Sequence, residues 1–78
     1  MDEKDKLRVL IPHWIEHNQE HAQEFEQWAQ TAPEVSNDIR EAAKAMEQVN
    51  QSLEIALKKL GGPLSRDQYH QHEHQEIE

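Results

Sequence analysis

Six of the 78 residues are histidine, and they fall into two groups. The first is His13, His17 and His21, spaced four apart, each followed three residues later by a glutamate: Glu16, Glu20 and Glu24. On a helix, residues four apart stand on one face, about 6 Å apart along the axis. Two imidazoles at that spacing can chelate one transition-metal ion. Three of them span about 12 Å, so a single ion cannot take all three from a straight helix. A site would pair His13 with His17, or His17 with His21, and add a carboxylate or a residue from elsewhere. The second group is His70, His72 and His74, preceded by Asp67 and Tyr69 and followed by Glu76. Alternating histidines in an acidic segment can wrap an ion without any fold. Imidazole suits Ni²⁺, Zn²⁺, Co²⁺ and Cu²⁺. Ligation requires the neutral ring, so affinity is expected to fall below about pH 6.5.

The chain has no cysteine, so disulfides are impossible and any metal site must use imidazole nitrogen with carboxylate or amide oxygen. His-x-x-Glu-His occurs twice, at His13–His17 and His17–His21. That is the spelling of an inverted zinc-peptidase motif, which also needs a distant third ligand and a substrate cleft. A chain of this length offers neither, and the expectation is no enzymatic activity. Di-metal bundle enzymes place Glu-x-x-His pairs on several helices, whereas residues 33–60 contain no histidine.

Two helices are expected to carry these groups. The first apolar series is Leu7, Ile11, Trp14, Asn18, His21, Phe25, Trp28 and Ala32, a heptad seam with steps of four and three. It predicts helix 1 over about 5–32. Pro12 either kinks it or sets its start near Ile11, after a separate turn from Asp5 to Leu10. The second series, Val35, Ile39, Ala42, Met46, Val49, Leu53, Ala56 and Leu60, predicts helix 2 over about 33–60. Thr31-Ala32-Pro33-Glu34 reads as its capping box, and Gly61 as its left-handed C-terminal cap. So short a connection forces the helices antiparallel. Trp14, Phe25 and Trp28 should then face small or aliphatic residues of helix 2, with His21 beside Met46 and Asn18 beside Val49 and Asn50. His21 and Asn18 on the seam suit a buried polar layer that fixes register. A lone helix pair buries only marginally enough apolar surface to fold, so a homodimer forming a four-helix bundle is expected.

Acidic residues number 16 against 8 basic ones, a formal charge of −8. A net anion is repelled by nucleic acid and by anionic membrane surfaces, and neither is expected as a partner. The N-terminal run Met1-Asp2-Glu3-Lys4-Asp5-Lys6 has no apolar signal core. No stretch approaches the ~18 apolar residues of a membrane span, and a cytoplasmic location is expected. Composition turns to Gln, His, Glu and Asp after Leu64, which divides the chain into a helical hairpin domain, 1–62, and a flexible His-rich tail, 63–78.

The run His13-Trp14-Ile15-Glu16-His17-Asn18 and the phrase Lys59-Leu60-Gly61-Gly62 resemble a family of short, uncharacterised acidic helical proteins of anaerobic bacteria and archaea. Its members share a His-Trp-Ile-Glu-His-Asn helix, a second helix ending in Lys-Leu-Gly-Gly and often a His-rich tail. The resemblance implies a helical hairpin and, through the tails, a link to nickel or cobalt handling, but it carries no activity. The reading is an all-α, antiparallel two-helix hairpin that binds Ni, Zn or Co without catalysis, through His13, His17, His21, His70, His72 and His74. The alternative is an adaptor that docks a protein partner through Trp14, Phe25 and Trp28 and whose histidines are structural.

Overall fold

The computed structural model describes residues 2–64. His70, His72, His74 and nearly all of the expected tail lie outside them. The described chain is a helical hairpin of α1 (Glu3–Ala29), a short 3₁₀ turn (Pro33–Val35) and α2 (Ser36–Leu60). No strand occurs among the described residues.

α1 starts earlier than its apolar pattern indicates because Asp2 caps it. The Asp2 carboxylate accepts the Asp5 N–H at 2.9 Å, and Glu3 and Asp5 place negative charge in the first turn, where the helix dipole favours it. The helix then runs through Pro12 without interruption, which excludes a separate turn from Asp5 to Leu10. Proline has no N–H, so the carbonyl four residues earlier, Arg8, loses its helical donor. Here the Leu64 N–H takes its place, 3.2 Å from the Arg8 oxygen. The Arg8 side chain grips the same returning segment: Nε donates to the Gly62 carbonyl at 2.6 Å and Nη2 to the Gly61 carbonyl at 3.1 Å. Proline and arginine together thus clasp the end of α2 onto the start of α1. Arg8→Ala is expected to cost about 1–2 kcal/mol for these bonds, read as a lower urea midpoint with an unchanged slope. An unchanged midpoint would mean that the backbone bond alone holds the clasp.

The far end differs from expectation. α1 stops at Ala29, not near residue 32, and Thr31 closes it. The Thr31 hydroxyl donates to the Trp28 carbonyl at 2.9 Å. The capping box therefore does not form: the Pro33–Val35 turn has no side-chain cap, and α2 begins at Ser36 with Val35 before it. Gly61 does close α2, at φ 107°. Its N–H bonds to the Lys58 carbonyl and that of Gly62 to the Leu57 carbonyl, the paired bonds of a Schellman cap. Lys58 and Lys59 add favourable charge to that last turn.

The contact stripe is half the expected seam and half its neighbour. Ile11, Asn18 and Phe25 keep their inward places, as do Ile39, Met46, Leu53 and Leu60. On α1, Trp14, His21 and Trp28 give way to Ile15, Ala22 and Ala29; on α2, Ala42 and Val49 give way to Ala43 and Asn50, while Ala56 and Leu57 are both half-buried. Alanine explains the shift. Ala29 is 1% exposed and Ala43 6%, and residues this small let the helix backbones approach as indole rings could not. Trp28 is left 61% exposed and Trp14 37%. In the middle of the stripe Asn50 is buried. Its Nδ2 donates to the Ile15 carbonyl at 3.2 Å and its Oδ1 accepts from Asn18 Nδ2 at 2.9 Å. The expected neighbourhood of Asn18 and Asn50 is present, and the polar layer is this asparagine pair. His21 takes no part in it.

Candidate metal-binding face

The first histidine group forms a row along three turns of α1. The His13 and His17 rings meet edge to face with centroids 4.7 Å apart. His17 and His21 are 6.4 Å apart, and His21 stacks on Phe25 at 6.4 Å. His13 and His17 are half-buried. The His21 side chain is 54% exposed, with Nδ1 3.7 Å from Glu24 Oε1. The expectation that His21 lies beside Met46 in the seam is overturned, because Ala22 fills the contact stripe instead.

Nitrogen ligands sit about 2.0–2.1 Å from a bound Zn²⁺, so two rings of this row can share an ion only if both turn a nitrogen toward a point between them. The row offers two imidazoles at a time. Among the described residues no three His, Asp or Glu side chains gather where they could hold a metal ion. Glu16, Glu20 and Glu24 are exposed beside the row. A closed four-ligand site therefore needs donors from outside these residues.

The row borders an apolar face. Trp14, His21 and Trp28 each precede a contact residue (Ile15, Ala22, Ala29), as Ala42, Val49 and Ala56 do on α2 (Ala43, Asn50, Leu57). One step back turns by about 100° around the helix axis. In an antiparallel pair the two chains run in opposite directions and face each other, so these rotations carry both sets to the same side of the hairpin. That side exposes Trp14, Trp28, Val35 (44%) and Val49 (46%) together. Ile55, 58% exposed, stands on the opposite surface of α2. No helix of the described chain is long and apolar enough to cross a membrane.

The model of a family described as a domain of unknown function (DUF8180) matches residues 7–60. The chain belongs to that family. The DUF8180 span coincides with the hairpin from Leu7 to Leu60, contains His13, His17, His21 and both tryptophans, and ends before His70, His72 and His74. The chain is also similar to a protein of Archaeoglobus fulgidus described as an uncharacterized protein. The two are 36% identical over 61 residues, which cover 73% of this chain and 98% of the relative. No solved structure matches.

Two residues that organise this DUF8180 hairpin are weakly marked in its sequence. Arg8 has one signal, the proline four residues after it, which frees a carbonyl without saying what fills it. Asn50 has one as well, a second asparagine opposite Asn18 in an antiparallel register.

Proposed function

We propose that the chain is a non-enzymatic, cytoplasmic protein that binds a divalent transition metal, Ni²⁺, Zn²⁺ or Co²⁺, for storage, delivery or sensing. The observation that carries this reading is the His13–His17 pair, two half-buried imidazoles 4.7 Å apart on a rigid helix. His17 also neighbours His21, so it belongs to either chelating pair in the row. His70, His72 and His74 would serve as capture ligands that pass the ion to the helix. Calorimetric titration with Ni²⁺ and Zn²⁺ tests the reading on two full-length chains, one unaltered and one with His70, His72 and His74 replaced by alanine. The helix should still bind at micromolar concentration or better without the tail histidines, and His17→Ala in that background should weaken binding at least tenfold. Binding that disappears with the tail histidines would make the helix row structural.

The exposure of Trp28 favours a second reading, an adaptor with purely structural histidines. Exposed tryptophans are frequent anchors of protein interfaces, and Trp28 contributes little to the packing of the hairpin itself. On this reading the chain lacking the tail histidines shows no saturable metal binding.

A further inference from the structure

The large residues of both helices point to a place the hairpin alone does not fill. On α1 the series Leu7, Ile11, Trp14, Asn18, His21, Phe25 and Trp28 is centred between the partner helix and the open side, because half of it is stripe and half is exposed face. On α2 the series from Val35 to Leu60 is centred the same way. A side chain aimed midway between a neighbouring helix and an empty side is aimed at the axis of a four-helix bundle.

Size and charge identify what covers it. α1 has 27 residues, about 40 Å of helix. Two packed helices present a side roughly 20 Å wide, so the face measures about 800 Å², the area each partner contributes to a standard stable interface. Leu7, Leu10, Trp14, Trp28, Val35 and Val49 on this side carry no charge, and Glu3, Glu24 and Asp38 stand at its rim. The centre of the face therefore meets its copy without burying a charge, and a two-fold dimer brings the same patch together from both copies.

The histidine row lies where such a dimer would complete it. His17 stands on the edge of the face and His21 within it. Both are near the middle of α1, since Glu16 is midway between Glu3 and Ala29. A two-fold axis crossing α1 between His17 and His21, about 4.5 Å from its mid-length, with α1 against its copy, brings the two His17–His21 pairs together. One chain supplies two nitrogens; two chains supply four, the number of a closed tetrahedral zinc site. We infer that a second copy of the chain docks on this face and that His17 and His21 of both copies form one shared cation site across the two-fold. This rests on the metal-binding reading and adds the source of the missing ligands.

Sedimentation velocity and calorimetry with ZnCl₂ test it on the full-length chain carrying His70→Ala, His72→Ala and His74→Ala. The expected result is a dimer that takes one zinc per two chains. His21→Ala should weaken zinc at least tenfold. Trp28→Glu replaces a residue that the single hairpin leaves mostly exposed, so helical circular dichroism should persist while zinc no longer assembles a dimer. One zinc per chain on a monomer, or zinc affinity unchanged by His21→Ala, overturns the shared site and leaves metal binding by the helix intact. A chain that stays monomeric throughout the titration overturns it too. Absence of zinc binding overturns both this inference and the reading it rests on.

Discussion

Asn50→Asp is expected to destabilise the hairpin by about 3 kcal/mol at neutral pH. The two side chains have nearly the same shape, so the change is electrical. Asn50 Nδ2 donates to the Ile15 carbonyl in a buried position; an aspartate oxygen in its place sets acceptor against acceptor and leaves an ionised carboxylate in apolar surroundings. Asn18 continues to donate to the other oxygen, which holds the cost below that of a wholly isolated charge. The sign of the pH dependence follows. Burial raises the folded-state pKa of the introduced carboxyl above its unfolded value. The folded variant therefore binds the proton more readily, and the deficit shrinks as pH falls toward about 4, where a protonated carboxyl can donate to Ile15 again. Urea titrations at the two pH values check this. Equal stability of variant and parent at pH 7 would mean that Asn50 is not sequestered between the helices.

Ile11→Ala is expected to cost roughly 2–5 kcal/mol, the range for deleting a buried aliphatic side chain. Ile11 is 3% exposed and is one of four apolar residues buried among those described, with Ile15, Ala29 and Ala43. Two of those four are alanines, with little further to lose on truncation. Small domains are held by only about 5–15 kcal/mol in all, so this substitution consumes a large part of the total. Trp28→Ala is the comparison that tests the reasoning. It removes a larger apolar group, yet its position is mostly exposed, and in the separate hairpin it should change stability by about 0.5 kcal/mol or less. Thermal unfolding at low micromolar concentration measures both. A Trp28→Ala variant as unstable as Ile11→Ala would place the indole in the core of the hairpin.

That comparison also shows where sequence reasoning succeeded. Two antiparallel helices, the Gly61 cap and the nearness of Asn18 to Asn50 were legible, because each depends on local spacing or on the mirror register of a short hairpin. The orientation of the helices about their axes was legible only in part. A seam drawn through the largest apolar residues includes Trp14 and Trp28. The packing of two helices is decided instead by where alanines let backbones approach, at Ala22, Ala29 and Ala43. His21 moved outward for the same reason. The capping box failed because the Thr31 hydroxyl finds the nearer Trp28 carbonyl first. Of the candidate ligands, the relation of His13, His17 and His21 was fixed by helical spacing. Their burial was not, since it depends on the rotation that the alanines set.

The bond from Leu64 to Arg8 makes the hairpin a closed circuit, joined by the turn at one end and by the clasp at the other. The two closures differ in kind. Contacts near the turn bring together residues close in sequence and need little loop entropy, so association can begin there and advance pair by pair toward the termini. The clasp spans 54 residues between Arg8 and Gly62, and its formation gains nothing until the pairs before it are in place. It is the last link to close and the first to open. The Leu64 amide is thus a local clock for the molecule. Its rate of hydrogen exchange reports how often the open end parts, separately from the global unfolding that releases amides beside Ile15 and Asn50.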